Sequence, residues 1–417
     1  MKPLHLVIAM LLICAPCLRA EAALKDGDIL AMTGDSITQQ KSYSAIIEEY
    51  LLLCQSTTDL KQVVEFGWSG EEAAGLLARV DTELYPFQPT VVATSYGMND
   101  GHYQPLTAQT GDAYRAALNG LIDSFRKHGV REVILGSPGC VDSYYFRKFQ
   151  NDAPFDPAVP AMYNRTLGGL ADIAKDVAMK QHARFADVHA VTMATMAKFK
   201  AAHGEKAPFI NNNDGVHPAL EGQLCMVYAY LKGLGCDGSI GTITIDLAND
   251  QATATPGQKI ISMKQGTVEI ETTRFPFCFQ PEAANILALL PFNQELNRYL
   301  LVVKGLGGAG AKVTWGQASR RFTAQELAKG INLAAEFPVN PICELFGRFW
   351  GVVQRQQEQD RELEQAYLHS ITSASAEVAA PLARAIKTGL EWDRDLFRLC
   401  KANIGTIKHT LKVEAAP

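Results

Sequence analysis

Segments with strand propensity alternate with helical segments through the first half of the chain, and this alternation constrains the fold more than any other feature. Between Asp28 and Cys236, short apolar runs are separated by stretches whose apolar residues repeat at helical spacing, as they do from Tyr43 to Leu51. Such alternation favours a parallel sheet covered by helices on both faces. In sheets of this kind, ligands bind beyond the carboxyl ends of the strands. The predicted strands are 28–33, 61–66, 89–97, 131–139 and 183–191.

After Cys236 the sequence becomes rich in strand-forming residues, with Gly and Pro between the runs. Thr323 and Glu326 then have the spacing of a capping box, which predicts a short helix over 324–333. We expect a longer helix over about 340–370, and its segment RQQEQDRELEQ (355–365) is predicted to face solvent. Beyond residue 372 the pattern is helical and then extended at 409–414. Whether these last helices pack on the β-rich part or on the first domain stays open.

These patterns divide the chain into four predicted parts. They are a signal peptide (1–22), an α/β domain (23–236), a β-rich accessory region (237–322) and a helical C-terminal region (323–417).

The first 22 residues combine a basic start, a short apolar stretch and an Ala20-Glu21-Ala22 cleavage signature. We therefore expect an exported protein, either periplasmic or extracellular. The apolar stretch is too short to span a membrane comfortably, and no later segment offers a span. The formal charge of −5, without a long basic run, gives no indication of a nucleic-acid partner. Composition alone leaves enzyme, binding protein and scaffold open.

Seven cysteines remain after the predicted cleavage, and they are scattered along the chain. An odd number without tight spacing does not form a recognisable disulfide framework, and no C-x-x-C pair suggests structural zinc. We expect most of these thiols to be buried and inert, with their pairing left open.

Residues of types that take part in catalysis lie at four predicted strand or loop ends. Each has a structural explanation when taken alone, such as a helix cap for a serine, a special backbone angle for a glycine or a turn for Asn-Asp and Asp-Gly. The four places are Gly34-Asp35-Ser36, Gly70, Asn99-Asp100, and Asp214 with His217.

Taken together, these residues supply a complete set of catalytic roles. Ser36 is a nucleophile once a base removes its proton, and His217 can be that base because its ordinary pKa lies near neutrality. Asp214, three residues away, can orient the imidazole and stabilise its charged form. The main-chain N–H groups of Ser36 and Gly70, with the Asn99 amide, can stabilise the oxyanion of a tetrahedral intermediate.

This set of residues resembles the SGNH hydrolase superfamily, also called the GDSL esterases and lipases. Its four name-giving residues are matched in order by Ser36, Gly70, Asn99 and His217, over about residues 27–235. The resemblance implies a flavodoxin-like, three-layer α/β/α fold with a five-stranded parallel sheet, an acyl-serine intermediate, and neither metal nor other cofactor.

Two of the motifs depart from the family pattern, and one motif of another hydrolase class is missing. Gln39 and Gln40 follow the first motif where a glycine is common, and Met98 stands where a small residue is common, which questions the width of the oxyanion region. No G-x-S-x-G elbow occurs in the chain, which argues against an ordinary α/β-hydrolase.

Other candidates receive structural explanations. His182, Asp187 and His189 suggest a metal cluster, but in a strand over 183–191 Asp187 and His189 would lie on the same face without a third nearby ligand. Asp35 and Asp100 are expected to form helix-start or turn hydrogen bonds. Trp68 fits a sugar-stacking platform or, preferably, the core. His102 and Tyr103 could line the pocket or lie in an exposed loop. Cys140 is predicted to have a structural role. The aromatic loop 142–157 is the candidate substrate-specificity lid.

The leading hypothesis is an exported serine esterase that removes short acyl groups, in particular O-acetyl groups, from a carbohydrate, with a small-molecule or polysaccharide ester as the substrate. One alternative is a lipase, lysophospholipase or thioesterase that acts on longer chains. Another is a non-catalytic glycan-binding protein. Oligomeric state stays open.

Overall fold

Five parallel strands form the first sheet of the protein, as the alternating sequence pattern predicts. The computed structural model describes residues 22–55, 58–146, 155–210, 214–369 and 375–415. The sheet order is β2-β1-β3-β4-β5, with β2 at one edge. The strands are β1 (Ile29–Gly34), β2 (Gln62–Gly67), β3 (Val91–Ser95), β4 (Glu132–Gly136) and β5 (Arg184–Ala186).

Helices cover both faces of this sheet, which confirms the three-layer α/β/α architecture. Alternate residues of β1 point to opposite cores: Leu30 and Met32 enter one, whereas Ile29 and Ala31 enter the other. Helices α2, α6 and α7 contribute to the first core, and α3, α4 and α5 to the second. The helices are α1 (Ser36–Gln39), α2 (Tyr43–Leu53), α3 (Ala73–Glu83), α4 (Ala108–Lys127), α5 (Ala158–Lys180), α6 (Val188–His203) and α7 (Leu220–Gly233).

The predicted strand over 183–191 is wrong in its second half. Only Arg184–Ala186 is extended, and α6 begins at Val188. Asp187 caps this helix by accepting a hydrogen bond from the Ala190 N–H at 3.0 Å. An aspartate before a helical run favours this N-cap arrangement, so the chain turns into a helix where alternation alone suggested a strand.

The second half of the chain adds two further sheets, in agreement with the predicted β-rich extension. One has the order β13-β10-β6-β7 and the other β12-β11-β14-β9-β8, with the predicted extended segment near the C-terminus (β14) inside the second. The strands are β6 (Ser239–Asp246), β7 (Gln251–Ala254), β8 (Gln258–Lys264), β9 (Thr267–Thr272), β10 (Arg298–Lys304), β11 (Gly310–Trp315), β12 (Ala318–Thr323), β13 (Ile331–Asn332) and β14 (Ile407–Ala415).

Helices of this half are short until the last two. The Thr323–Glu326 capping box is confirmed, but its helix ends at Lys329 instead of residue 333, because the chain then forms β13. The helices are α8 (Ala284–Leu287), α9 (Phe292–Glu295), α10 (Ala324–Lys329), α11 (Leu333–Glu336), α12 (Cys343–Arg361), a π-helical segment (Glu362–Leu368) and α13 (Ala376–Ala402).

Helix α12 runs along β2, and this placement makes the predicted solvent exposure of 355–365 wrong. The side chains of Gln356, Gln357, Asp360 and Glu364 are at most 1% exposed. Several of them pair with main-chain groups of the edge strand. Gln356 Nε2 donates to the Val63 carbonyl at 3.1 Å, and Asp360 accepts from the Glu65 N–H at 3.2 Å.

Gln365, in the π-helical segment, continues this pattern by donating to the Gly67 carbonyl at 3.2 Å. An edge strand presents unpaired N–H and C=O groups that a covering element has to satisfy when it excludes water. We call the three contacts of Gln356, Asp360 and Gln365 with β2 the polar clasp. A polar helix face is therefore required here, although the same composition elsewhere would face water.

The predicted signal peptide falls on residues 1–21, which lie outside the described residues, and on Ala22. The next residue, Ala23, is buried and donates its N–H to the Leu234 carbonyl at 2.9 Å. No helix in the described part of the chain is long and apolar enough to cross a membrane. The four-part division of the chain stays a prediction.

Candidate active site

Ser36 lies directly after β1, as the first residue of α1. The cap of this short helix is Asp35, whose Oδ1 accepts from the Ile37 N–H at 2.9 Å. The neighbouring aspartate thus performs the structural role that a lone serine could have had. The Ser36 hydroxyl is free to contact the histidine instead.

Asp214, His217 and Ser36 form one continuous hydrogen-bonded chain. His217 Nε2 is 2.8 Å from Ser36 Oγ, and His217 Nδ1 is 2.7 Å from Asp214 Oδ2. The His217 side chain remains 30% exposed, so a substrate can reach the end of this chain. A serine, a base and an orienting acid in this order match the geometry of an activated nucleophile.

The second oxygen of Asp214 shapes the turn that carries both residues. Asp214 Oδ1 accepts from the N–H groups of Val216 at 2.7 Å and His217 at 3.0 Å. Desolvation acts to raise the pKa of Asp214, but these hydrogen bonds and the His217 ring outweigh it and hold the pKa below its ordinary value. The acid therefore stays ionised beside the imidazole.

Gly215 is required where this turn meets the 142–146 loop. Its φ is +69°, and an added Cβ would lie 2.3 Å from the Phe146 nitrogen. The Gly215 carbonyl accepts from the Asp142 N–H at 2.8 Å, and the Asp142 carboxylate forms a buried ion pair with Lys200 at 2.6 Å. Sequence reasoning missed this support because the two charged residues are far apart in the chain and follow no motif.

Asn99 lies where the first three motifs meet. Its Nδ2 donates to the Glu71 carbonyl at 3.1 Å and lies 3.5 Å from Asp35 Oδ2. Its Oδ1 accepts from the Tyr103 hydroxyl at 3.1 Å, which fixes the orientation of the amide. Met98 is buried with the core, so this departure from the family pattern does not narrow the cleft.

Gly70 lies on the turn between β2 and α3. Its φ is +77°, a conformation that side chains rarely adopt, and an added Cβ would meet no atom within 4 Å. Backbone conformation, rather than crowding, therefore favours glycine at this position. The open space beside it leaves room for a bound group.

Asp35 and Asp100 make the local hydrogen bonds that the sequence predicts. Asp100 accepts from the N–H groups of Gly97 at 2.8 Å and Ala73 at 3.0 Å, which ties the tip after β3 to the start of α3. Burial raises the pKa of Asp35 to about 7 and that of Asp100 to about 6. Both are structural neighbours of the triad in this geometry.

The remaining candidate residues differ in burial and in their contacts. Trp68 is half-buried, outside the core, with the Arg79 guanidinium 5.0 Å from its ring centroid. His102 is exposed, and Tyr103 contacts the site through Asn99. Cys140 is buried, as expected of a structural cysteine. The candidate lid of 142–157 lies partly outside the described residues.

The metal candidates of the sequence do not assemble. Asp187 caps α6, and the His189 ring contacts the Gly139 carbonyl through Nδ1 at 3.1 Å. In the described ranges, no group of three or more His, Cys, Asp or Glu side chains is placed to hold a metal ion.

A cavity of about 490 Å³ lies between the first domain and the C-terminal half. One wall is formed by Pro218, Ala219 and Leu220, the residues directly after His217. Aromatic side chains, including Phe277 and Phe346, also line the cavity. The cavity therefore places an apolar space beside the histidine loop.

The fold and the hydrogen-bonded Asp214–His217–Ser36 chain agree with a hydrolase that uses a serine nucleophile. Residues 32–224 match the GDSL-like lipase/acylhydrolase family, and they include the first three motifs and the Asp214–His217 element. Residues 32–224 therefore form a GDSL-like lipase/acylhydrolase domain, and this match supports a carboxylic ester hydrolase. No curated protein matches the sequence.

Several solved structures are similar to this chain at low sequence identity. A gut microbial diltiazem-metabolizing enzyme is 19% identical and matches with a TM-score of 0.73 over 94% of this chain and 98% of that chain. An acetylxylan esterase from Geobacillus stearothermophilus is 23% identical, with a TM-score of 0.40 over 51% of this chain and 96% of its own. An α/β hydrolase from the metagenome of Lake Arreo, Spain, is 23% identical, with a TM-score of 0.40 over 52% and 98%. The first of these similarities extends the shared fold to the C-terminal half.

Proposed function

We propose that the protein is an exported serine esterase that removes short acyl groups, with O-acetyl groups on carbohydrates as the substrate class. The observation that carries the proposal is the hydrogen-bonded chain from Asp214 through His217 to Ser36, with distances of 2.7 and 2.8 Å. The acetyl and carbohydrate parts extend the family assignment by analogy.

In the proposed mechanism, Ser36 Oγ attacks the ester carbonyl carbon while His217 Nε2 takes its proton. Asp214 stabilises the imidazolium and holds the ring in place. The main-chain N–H groups of Ser36 and Gly70 and the Asn99 amide stabilise the oxyanion. His217 then protonates the leaving alcohol, and a water molecule repeats the sequence on the acyl-serine to release the acid.

The cavity beside the histidine loop favours a second candidate, an esterase for longer acyl chains. A volume of about 490 Å³ with aromatic walls is within the range of small-molecule sites. An acyl chain that leaves Ser36 toward Pro218 would enter this apolar space. This candidate shares the triad chemistry and differs in acyl preference.

Hydrolysis of aryl esters of increasing acyl length by wild type and Ser36→Ala tests both candidates. Maximal kcat/KM at acetyl supports the proposal, whereas a maximum at about eight carbons or longer supports the second candidate. In either case, Ser36→Ala should lose at least about 10³-fold in kcat. Absence of Ser36-dependent hydrolysis for every ester would contradict both and leave a binding protein.

Release of acetate from acetylated polysaccharides tests the carbohydrate part separately. Export is tested by expressing the full chain in a secreting host and sequencing the N-terminus of the exported protein. Cleavage after Ala22 is expected from the Ala20-Glu21-Ala22 signature, and it would leave the buried Ala23 as the new N-terminus. Retention of the uncleaved chain inside the cell would contradict export.

A further inference from the structure

Cys278 and Cys343 lie side by side in the lining of the cavity, although they are 65 positions apart in the chain. Their sulfur atoms are 2.9 Å apart. Bonded sulfurs lie about 2.05 Å apart, so a small movement would join this pair. The structure thus brings together two of the thiols that the sequence predicts to be inert.

The two cysteines belong to separately anchored parts of the fold. Cys278 follows β9 in a segment whose Phe275 N–H donates to the Leu53 carbonyl at 3.0 Å. In the same segment, Phe277 N–H donates to Asn297 Oδ1 at 2.8 Å. Cys343 is the first residue of α12, the helix that lies along β2. A bond between the sulfurs would therefore join the β-rich part to the covering helix.

The surroundings give the two sulfurs different reactivity. A hydrogen bond with Cys278 lowers the pKa of Cys343 to about 7, and the N-terminal position on a helix also favours a thiolate. Burial raises the pKa of Cys278 well above its usual value. Cys343 is thus the thiol able to attack an oxidant, with Cys278 beside it to resolve the product.

We propose that Cys278 and Cys343 are a redox-active pair that forms an intramolecular disulfide with a small-molecule disulfide, such as oxidised glutathione, as the oxidant. The Cys343 thiolate attacks one sulfur of glutathione disulfide, forms a mixed disulfide and releases one glutathione thiolate. Cys278 then loses its proton to solvent and attacks the Cys343 sulfur, which releases the second glutathione. The protein loses two hydrogens and two electrons, and the oxidant becomes two glutathione molecules.

The bond would fix one wall of the cavity. Both cysteines line it together with Pro218, Ala219 and Leu220, the residues that follow His217. In the reduced protein, the Cys278 segment and α12 are held together at this point only by non-covalent contacts. In the oxidised protein, a disulfide would join the Cys278 segment to α12 in the lining of this cavity.

Peptide mapping of the full chain tests this pair directly. The reduced protein is equilibrated with glutathione buffers of increasing oxidising strength, alkylated under denaturing conditions and digested with trypsin. Cys278 then lies in peptide 275–298 and Cys343 in peptide 330–348, and neither peptide contains another cysteine. The expected product is these two peptides joined, lighter by two hydrogens than their sum.

Three variants separate the roles of the sulfurs. Cys278→Ser should leave glutathione attached to Cys343, because the attacking thiolate remains and the resolving thiol is gone. Cys343→Ser should leave Cys278 as a free thiol. Cys400→Ser, which removes a cysteine outside the cavity wall, should form the joined peptides as fully as wild type.

Recovery of both peptides separately alkylated in the most oxidising buffer would overturn the proposal. So would the joining of either peptide to another cysteine of the wild-type chain. The mapping requires no ester substrate, so its failure is distinct from failure of the proposed esterase function. If a serine variant does not fold, the wild-type map still decides the question.

Discussion

Polar side chains are concentrated at two places in this molecule, the cleft around Ser36 and the covered edge of β2, and they are used in opposite ways. In the cleft, His217 bonds to both Asp214 and Ser36, and the side chains of His217 and Asp214 remain 30% and 42% exposed. At the edge, Gln356 and Asp360 are buried and bond to the backbone of the strand. The polar side chains of the cleft are partly open to solvent, whereas those at the edge form their hydrogen bonds within the protein.

This difference separates a reactive site from a structural one. Raised pKa values and buried carboxylates occur around β2, for example at Glu65 and Glu364, and such groups often mark active sites. Here their neighbours are the backbone and side chains of packed helices. The exposed end of a hydrogen-bonded chain, rather than the number of buried acids, identifies the reactive site.

The largest expected effect belongs to the cleft. Asp214→Asn should keep the turn but impose the wrong imidazole tautomer, with a loss of about 10⁴-fold in kcat. Steady-state kinetics on the preferred aryl ester measures it. Asp237→Asn, on a loop away from the triad, is the matched control and should retain activity. A loss below about tenfold in Asp214→Asn would remove the aspartate from the mechanism.

The next effect belongs to the region around the covered edge. Arg79 is 11% exposed and contacts Glu71, Glu83 and Glu364, so Arg79→Met should leave buried carboxylates uncompensated. We expect a loss of about 3–5 kcal/mol in the free energy of unfolding, measured in urea. Arg348→Met removes an exposed pair with Glu344 and should cost at most about 1 kcal/mol. Equal losses of unfolding free energy in Arg79→Met and Arg348→Met would show that the buried ion pairs stabilise the fold no more than the exposed one.

A smaller effect is expected at the oxyanion donor. Asn99→Ala should lower kcat by about 10²–10³-fold, because the amide stabilises charge that appears only in the transition state. The free energy of unfolding should change little by comparison, and KM should stay close to the wild-type value. A variant that loses stability but not kcat would assign Asn99 a structural role instead.

The smallest effect concerns pH. Burial raises the pKa of Glu65 from 4.5 to about 8, so the folded state holds a proton that the unfolded state releases between these values. The free energy of unfolding should therefore fall as pH rises through this window, by about 1.36 kcal/mol per pH unit for this group. Between pH 6 and 7.5 this amounts to about 2 kcal/mol.

Urea unfolding of wild type and Glu65→Gln at the two pH values isolates that contribution. The neutral variant should lose about 2 kcal/mol less than wild type, while the exposed control Glu344→Gln should match wild type. Parallel losses in wild type and Glu65→Gln would mean that Glu65 is ionised in the folded protein.

The sequence predicts the cleft because each of its residues lies in a local pattern. Ser36 follows a strand and precedes a helix, and Asp214 is one turn from His217, so parallel topology alone brings the two segments to one edge. Gln356 and Asp360 lie in an equally regular helical pattern. Its meaning depends on β2, about 290 residues earlier, whose edge position no local rule gives. The Asp142–Lys200 pair was missed for the same reason.

The polar clasp has a consequence for any attempt to shorten this enzyme. A fragment ending at residue 236 would leave the Val63 carbonyl, the Glu65 N–H and the Gly67 carbonyl facing water along a bare strand. Such a strand invites another extended chain to add to the sheet. Truncation to the catalytic half is thus expected to yield self-associating material in place of a smaller monomeric esterase.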